Sequence, residues 1–455
     1  MAILSKVVVA TGLVASGGYD CTPEESNNWG FYSPWFAAPT DIPDEVPLGC
    51  SINFVQLLSR HGSRYPEASD TDYGKYTAEL QAAVNSSYFT GEYAFLKDYN
   101  FTLPYTGLLT PWGEKEMYNS GVYFYQRYQE LAGLSGKVPF FRATDYPRVV
   151  QSFENFTQGF HASKMSAWGR LADMTYPYPV VLIPETATEN NTLAPGTCPE
   201  YMTGYDSTIT TTAKQLYETY FAPAISDRWA VDLPGNGMSD KHIIDLMDVC
   251  PYETVANPNA QPLSPWCALF TDEEWAQYNY EKTLDRFYLD SYGDPVGPAQ
   301  GAGWVIELVS RLTNTPVKVP ASGSTINITL DSDPATFPLG LPMYVDFSHD
   351  HIIVNALSAM GMFDPSYMLP NTILISGEQA DGFLINWITP FASRVFVEKM
   401  TCLFEPEEYV RVVVNGRVQP MKQCDSDSLG RCTLTKFVDA MSYAMEGASW
   451  SACYS

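Results

Sequence analysis

Residues 60–64 read Arg-His-Gly-Ser-Arg and place a histidine between two arginines, in a chain with only five histidines. Guanidinium groups bind phosphate or carboxylate oxygens in pairs and stay charged at any working pH. The imidazole of His61 could reach a bound phosphorus and act as a nucleophile, and the neighbouring positive charge would keep it neutral down to lower pH. Arginines paired with acids beside a hydrogen-bonded histidine are the structural alternative. We interpret the segment as an anion site with a nucleophile, because it follows a predicted strand and a second charged segment complements it.

Residues 347–351 read Phe-Ser-His-Asp-His and supply groups that the first segment lacks. Phosphoryl transfer needs a protonated leaving oxygen, and the carboxyl group of Asp350 could donate that proton and later deprotonate a water molecule. The imidazole of His349 could hold a phosphate oxygen. A metal site is the alternative, but His349 and His351 do not share a helix face and have no third ligand nearby in the sequence. We therefore expect no metal ion here.

Residues 142–148 form a third charged segment, which begins and ends with an arginine. Either Arg142 or Arg148 could complete the anion site, and spacing alone does not choose between them. Other catalytic plans lack their motifs: the sequence has no G-x-S-x-G, no cysteine six residues before an arginine, and neither of the glycine-rich nucleotide-binding patterns. The arginine–histidine segment remains the best candidate for a reactive site.

Each of the three charged segments follows a predicted β-strand. Runs of apolar, β-branched and aromatic residues predict the strands, and an Asn-Gly pair within 410–418 predicts a hairpin. The predicted strands before the hairpin are 52–58, 137–143, 179–184 and 342–347. Ligands of open α/β sheets bind beyond the carboxyl ends of the strands, so we expect the charged segments to lie together there.

Helical patterns alternate with these strands, which predicts an α/β sandwich with a mainly parallel sheet. Thr110 is a plausible N-cap of the first helix, with Pro111 in its first turn. The predicted helices are 110–131, 148–164 and 299–312. Two polar, helix-leaning segments would form a smaller inserted α-rich lobe over the sheet. We expect the α/β domain to comprise 17–66, 105–198 and 299–455, and the lobe to comprise 67–104 and 199–298.

The charge of the chain limits its partners. With 26 basic and 52 acidic residues, the formal net charge is −26, which argues against nucleic acid or an anionic membrane as a partner. It also suggests an acidic working pH, where protonated carboxylates repel one another less. No run of 18 apolar residues follows the N-terminal segment, so we expect no membrane span.

Several features indicate a secreted glycoprotein. Residues 1–16 resemble a signal peptide, with a basic residue followed by an apolar run and small residues. The nine cysteines are widely spaced without a C-x-x-C pair, which favours structural disulfides and leaves one cysteine without an intramolecular partner. The N-x-[ST] glycosylation candidates are Asn85, Asn100, Asn155, Asn190 and Asn327.

The segment R-H-G-S-R-Y-P, together with the distal S-H-D, resembles the histidine acid phosphatases. Within that family the chain is similar to the fungal phytases, which act on myo-inositol hexakisphosphate. The resemblance runs from about Tyr19 to the C-terminus and includes VQLLSRHGSRYP, DSDPATFPLG, DFSHD, TPFASRVFVEKM and VRVVVNGRVQP. It implies a two-lobe, phosphoglycerate mutase-like fold, in which an α/β domain carries a smaller α domain and the pocket lies between them.

The resemblance also implies roles for individual residues and no cofactor. His61 would be the nucleophile that becomes phosphorylated, and Asp350 would be the proton donor. The groups that bind the transferring phosphate would be Arg60, Arg64, Arg148 and His349. Arg148 takes precedence over Arg142 because the family places its phosphate-binding arginine second in this segment. The implied disulfides are Cys50–Cys402, Cys198–Cys453, Cys250–Cys267 and Cys424–Cys432, which leaves Cys21 unpaired.

The rim of the expected pocket departs from the family pattern. Asp70 and Asp72 stand where more lysine is expected, although Lys75 remains, and Asp285-Arg286 replaces a lysine pair. The basic residues left as rim candidates are Arg142, Lys75 and Arg286. A less basic rim weakens the expectation of phytate as substrate but leaves the phosphatase chemistry unchanged.

We therefore predict a secreted, monomeric acid phosphomonoesterase that acts on phytate through a phosphohistidine. A broad-specificity acid phosphatase of the same family is the nearest alternative. A catalytically silent glycoprotein that binds anions would be expected to have lost a motif residue, and every motif residue is present. A phosphate mutase shares the R-H-G motif, but the cysteines and glycosylation candidates speak against a cytosolic mutase.

Overall fold

A computed structural model of the 455-residue chain describes residues 23–133, 138–168, 174–204 and 208–454. The predicted signal peptide and Cys21 lie outside the described residues. The strands are β1 (Cys50–Arg60), β2 (Phe140–Thr144), β3 (Val181–Ile183), β4 (Met343–Ser348), β5 (Arg394–Cys402), β6 (Glu408–Val414), β7 (Arg417–Val418) and β8 (Arg431–Thr433).

The strands form one mixed sheet in the order β3-β2-β4-β1-β5-β6-β7, with β8 paired to β6. The four strands from β3 to β1 are parallel, whereas β5 and the strands beyond it are antiparallel to their neighbours. The expectation of a mainly parallel sheet is therefore correct only for the half that carries the charged segments. Sequence patterns missed β5 because Glu398 interrupts its apolar run; Arg127 and Arg411 neutralise that buried carboxylate.

Helices cover both faces of the sheet. The helices near the start and middle of the chain are α1 (Pro23–Asn27), α2 (Tyr73–Ala83), α3 (Pro111–Ala132), α4 (Pro147–Trp168), α5 (Pro199–Gly204), α6 (Thr208–Asp232), α7 (Asp240–Met247), α8 (Val249–Ala256) and α9 (Asp272–Asp290). The later helices are α10 (Gly297–Thr313), α11 (Ile328–Asp331), α12 (Asp350–Ala359), α13 (Ile385–Ile388), α14 (Leu434–Ala440) and α15 (Ser442–Met445). The three predicted helices correspond to α3, α4 and α10, and Thr110 caps α3 by accepting a hydrogen bond from the Gly113 N–H.

Alternating side chains of β1 explain the layered architecture. Phe54 and Leu58 point to the face that also holds apolar residues of α10 and α12, while Val55 and Leu57 point to the face covered by α3 and α4. A strand buried on both faces reads as a continuous apolar run, and this is why β1 was predictable. Helices α6–α9 fall in the predicted insertion at 199–298, whose lobe boundaries stay a prediction. No helix in the described ranges is long and apolar enough to cross a bilayer.

Disulfides connect distant parts of the chain. The structure contains the four pairs that the family resemblance implies, Cys50–Cys402, Cys198–Cys453, Cys250–Cys267 and Cys424–Cys432. Cys50 pairs with Cys402 in the register of β1 and β5, at the end of these strands opposite Arg60 and Arg394. This bond joins two central strands of the mixed sheet, β1 and β5, at the strand ends opposite the charged segments.

A buried ion network holds the centre of the sheet against α10. The carboxylate of Asp346 accepts hydrogen bonds from Arg142 at 2.9 Å and from Arg311 at 3.1 Å. Glu307 binds Arg142 from the other side at 2.6 Å, and Gln56 joins Asp346 and Arg311. Opposing charges hold the pKa of Asp346 near 2: burial raises it, and the two arginines lower it by more.

We expect Asp346→Asn to lower the free energy of unfolding by about 3–5 kcal/mol, because it leaves two buried guanidinium groups undercompensated. Urea unfolding followed by tryptophan fluorescence measures this loss. Glu79→Gln removes a carboxylate from the exposed Lys75–Glu79 pair and should change stability by no more than about 0.5 kcal/mol. Equal effects of the two substitutions would contradict a structural role for the network.

Candidate active site

The charged segments meet at the carboxyl ends of the parallel strands. β1 ends at Arg60, whose partner in the register of β4 is Ser348, and the His61 N–H donates to the Ser348 carbonyl at 3.0 Å. His349 follows directly as the N-cap of α12, so Asp350 occupies the first turn of that helix. Backbone pairing thereby brings together two segments that are almost 300 residues apart in sequence.

His61 is buried and its tautomer is fixed. Its Nδ1 lies 2.8 Å from the carbonyl oxygen of Gly62, and because a carbonyl only accepts, Nδ1 carries the proton and Nε2 carries the lone pair. Burial lowers the pKa of His61 well below its usual range, and the charges of Arg148 and Arg60 lower it further. The imidazole is therefore neutral and nucleophilic at Nε2 under acidic conditions.

The backbone around His61 is held by close packing with α3. A Cβ atom on Gly62 would lie 2.5 Å from the carbonyl oxygen of Gly113, so only glycine fits at this position. The Gly62 N–H donates to Ser152, and the Ser63 N–H donates to the buried carboxylate of Glu116. No helix begins immediately after the motif; the next helix, α2, begins at Tyr73, and the helix termini near the site belong to α4 and α12.

His349 lies beside His61, with the two ring centroids 5.6 Å apart. Arg148 approaches Nδ1 of His349 at 3.4 Å, and since guanidinium groups only donate, Nδ1 accepts and Nε2 carries the proton. Nε2 donates to Glu185 at 2.6 Å. Burial lowers the pKa of His349, although Glu185 opposes this shift. In this arrangement both ring nitrogens are occupied, and His349 orients Arg148.

Asp350 is buried between two arginines. Its Oδ2 lies 3.5 Å from Arg60 and 3.1 Å from Nη2 of Arg286. Burial raises the pKa of Asp350, but Arg60, Arg286 and His351 outweigh it and hold the pKa well below its usual range. Arg60 itself is anchored by the carbonyl oxygens of Phe31 and Thr389. Burial lowers the pKa of Arg60 to about 10, so it stays charged at acidic and neutral pH.

Arg64 and Arg148 flank the site on the side of the 61–72 loop. Nη1 of Arg64 binds Asp70 at 3.2 Å, and its Nη2 lies 3.8 Å from Glu67. Nη1 of Arg148 binds the other oxygen of Glu67 at 2.5 Å. Carboxylates therefore already face these two arginines, as Asp350 faces Arg60, and each carboxylate reduces the positive charge that the site offers to an anion.

The rim candidates have different fates. Arg142 is wrong as a rim residue: it lies inside β2, opposite Asp346 of β4, and is buried in the ion network. The predicted strand at 137–143 already contained Arg142, but the sequence does not show that this side chain meets Asp346 of the neighbouring strand. Arg286 lies deeper than a rim, bonded to Asp350. Lys75 is exposed on α2 and pairs with Glu79 at 3.9 Å, so its place at the rim stays a prediction.

Sequence reasoning missed Glu185, Glu67 and Tyr146 as parts of the site. Glu185 follows β3 by two residues, so the rule that charged groups beyond strand ends form sites would have found it. Glu67 follows the R-H-G-S-R-Y-P motif directly, and the sequence analysis assigned it no role. Within the described ranges, no group of three or more histidine, cysteine or acidic side chains is arranged to hold a metal ion.

Comparisons with known proteins show which family and which relatives the chain resembles. The model of the histidine phosphatase superfamily (branch 2) matches residues 51–415. Phytase A of Aspergillus fumigatus is 42% identical over 442 residues, which cover 96% of this chain and 92% of that protein. Phytase A of Penicillium oxalicum is 42% identical over 449 residues, covering 98% and 95% of the two chains. The crystal structure of the phytase from D. castellii superposes with a TM-score of 0.74 at 26% identity, covering 93% of this chain and 86% of that one.

We expect Glu185→Gln to lower the pKa of His349 further, because it removes the carboxylate that favours the imidazolium. NMR titration of the His349 ring protons measures the shift. The same substitution at the exposed Glu189 of the same loop should leave the titration unchanged. A pKa of His349 that is the same in all three proteins would contradict the pairing of Glu185 with His349.

Proposed function

The chain belongs to the histidine phosphatase superfamily (branch 2), and from this premise we propose that it is an acid phosphomonoesterase that hydrolyses phytate through a phosphohistidine at His61. The observation that carries the proposal is the tautomer of His61. Gly62 fixes the proton on Nδ1, so the Nε2 lone pair is available beside Arg60 and Arg148. A neutral nucleophile in a cationic environment is the combination that attack on a phosphate anion requires.

In the first step Nε2 of His61 attacks phosphorus and the bond from phosphorus to the ester oxygen breaks. Arg60, Arg64 and Arg148 hold the equatorial phosphate oxygens, where charge is spread in the transition state. For His349 to join them, its Nε2–H must leave Glu185 or its Nδ1 must take up a proton, because both ring nitrogens are engaged in the free protein. Asp350 gives its proton to the leaving inositol oxygen. The products of this step are the free hydroxyl group and a phosphorylated His61.

In the second step water replaces the histidine. The Asp350 carboxylate accepts a proton from the water, whose oxygen attacks phosphorus as the bond to Nε2 breaks. Inorganic phosphate leaves and Nε2 of His61 regains its lone pair. Asp350 now carries the proton from the water, which it donates to the next leaving group or releases to solvent. The sum is one ester plus one water giving one alcohol and one phosphate.

The low pKa of Asp350 constrains when it becomes an acid. Arg60 and Arg286 keep it ionised in the free protein. A bound phosphate places negative charge on the same arginines, which cancels part of their field and raises the pKa of Asp350. Asp350 therefore takes up the proton for the leaving group when the substrate binds. The proton comes either from a phosphate monoanion or from acidic solvent, and both sources favour an acidic working pH.

The relatives named phytase A support phytate as the substrate, since they match nearly the whole chain. One observation favours the alternative of broad phosphomonoester specificity. Glu67 and Asp70 neutralise Arg64 and Arg148, so the site offers less positive charge to a substrate that bears several phosphates. Both functions use the same chemistry and differ only in how strongly the surroundings of His61 favour polyanions.

We further propose that the protein is a secreted, monomeric glycoprotein with an α/β domain and an α-rich lobe at the boundaries given above. Four disulfides suit an oxidising compartment. Asn85 and Asn100 are exposed and are the best glycan acceptors. At Asn190 the amide nitrogen donates to the carbonyls of Ser324 and Ile326, so a glycan there would cost at least one of these bonds.

His61→Ala should lower kcat by at least about 10³-fold, because the nucleophile is lost. Asp350→Asn should slow cleavage of the phosphate ester of phytate by about 10²–10⁴-fold, the usual share of a general acid. With p-nitrophenyl phosphate, whose leaving group needs no proton, Asp350→Asn should instead give a burst of one nitrophenolate per enzyme and accumulate alkali-stable phosphohistidine. Asp98→Asn, the same change at an exposed position, is the control. A linear time course without trapped phosphohistidine would contradict the assigned roles.

Substrate preference is tested by comparing kcat/KM on phytate and on p-nitrophenyl phosphate at acidic pH. We expect at least a tenfold preference for phytate, since its additional phosphates bind residual positive charge around the site. His61→Ala provides the background for both substrates. A preference for the aryl phosphate would replace the phytase assignment with that of a broad-specificity phosphatase.

A further inference from the structure

The carboxylate of Glu67 lies between two of the arginines proposed to bind the transferring phosphate. Its Oε1 is 2.5 Å from Nη1 of Arg148, and its Oε2 is 3.8 Å from Nη2 of Arg64. Tyr146 donates its hydroxyl hydrogen to the same Oε1 at 3.0 Å. The guanidinium group of Arg148 stacks on the Tyr146 ring, with Cζ of Arg148 4.4 Å from the ring centroid. An acidic side chain therefore already occupies donors that a phosphate oxygen would use.

The surrounding structure positions the Glu67 carboxylate between Arg64 and Arg148 but leaves its side chain free to rotate away. Its backbone N–H donates to Asp70 at 2.9 Å, which fixes the main chain. Gly107 lies so close that a Cβ on it would be 2.7 Å from Cγ of Glu67, so the glycine makes room for the side chain. The Glu67 side chain is nevertheless 22% exposed, so rotation about its side-chain bonds can carry the carboxylate into solvent without moving the loop.

We propose that Glu67 sets the affinity of the site by competing with the substrate phosphate for Arg64 and Arg148. The inference rests on the proposed function, since the competitor matters only if a phosphate binds these arginines. For phosphate to bind at full strength, the Glu67 carboxylate must either swing out or take up a proton. The residue thereby disfavours weakly charged ligands and couples binding to pH.

The groups facing Glu67 determine the sign of the pH effect. They are Arg148 of α4, Tyr146 before α4, and Arg64 and Asp70 of its own loop. Burial raises the pKa of Glu67, but the two arginines outweigh it and hold the pKa below its usual range in the free protein. Bound phosphate removes that stabilisation and raises the pKa, so binding is linked to proton uptake. The affinity for phosphate should fall as the pH rises from the pKa of Glu67 in the free protein to its higher pKa in the phosphate complex.

The experiment uses the full-length enzyme and inorganic phosphate as a competitive inhibitor, together with KM for phytate. Glu67→Gln keeps the size of the side chain and removes its charge. We expect the inhibition constant of phosphate and the KM to fall about three- to tenfold above the pKa of Glu67, and their dependence on pH to flatten. The kcat should change less than KM, because Glu67 competes for binding and takes no part in the proton transfers.

Glu407→Gln is the matched control, because it makes the same change of net charge at an exposed position in the loop between β5 and β6. Its kinetic constants should equal those of the wild type. Glu67→Ala is a second variant that removes the carboxylate without an amide that could replace it, and thermal unfolding confirms that both variants are folded. Unchanged inhibition constants in both folded variants would overturn the inference.

Failure of the inference is distinguishable from failure of the proposed function. If the wild type hydrolyses phosphate esters and loses this activity in His61→Ala, the function stands whatever Glu67 does. A crystal structure of the wild type with phosphate gives an independent check. Displacement of the Glu67 carboxylate from Arg148 supports competition, while a phosphate bound with the Glu67–Arg148 pair intact contradicts it.

Discussion

The structure depends on the compensation of arginines that are removed from water. A buried guanidinium group cannot lose its charge at working pH, so the arginines beside His61 are compensated by carboxylates, carbonyl oxygens or a ring nitrogen. Arg60 solves this with two main-chain carbonyls and one edge of Asp350. Arg148 solves it with Glu67 and the unprotonated nitrogen of His349. The same constraint inside the sheet produces the network around Asp346. Positions of acids, and not only of arginines, thus decide where a phosphate can be held.

This compensation also fixes protonation states. Burial lowers the pKa of His61, and the charges of Arg148 and Arg60 lower it further. Burial raises the pKa of Asp350, but Arg60 and Arg286 outweigh it, so the nucleophile is neutral and the acid is ionised before substrate arrives. A phosphate that enters the site partly cancels the positive field of the arginines and raises the pKa of both His61 and Asp350. The site is therefore prepared for binding in one protonation state and for chemistry in another, with the substrate's own charge driving the change.

Sequence patterns predicted the parts of this site that are local in the chain. The apolar runs of β1 and β4 and the charged residues that follow them are each encoded by a few neighbouring residues, and backbone pairing of parallel strands then brings the ends together. The side-chain pairs between neighbouring strands could not be predicted from local sequence patterns. Arg142 faces Asp346 only because of the register between β2 and β4, and Glu398 is tolerated within β5 only because Arg127 and Arg411 reach it from elsewhere. Side-chain partners distant in sequence also explain why Arg286 was taken for a rim residue.

The two longest disulfide loops interleave, since one joins residues 50 and 402 and the other joins residues 198 and 453. Together they enclose every peptide bond from residue 50 to residue 453. A single proteolytic cut anywhere in that range leaves both fragments in one covalent molecule. After one cleavage, the disulfide bonds therefore keep the molecule in one covalent piece although its main chain is no longer continuous.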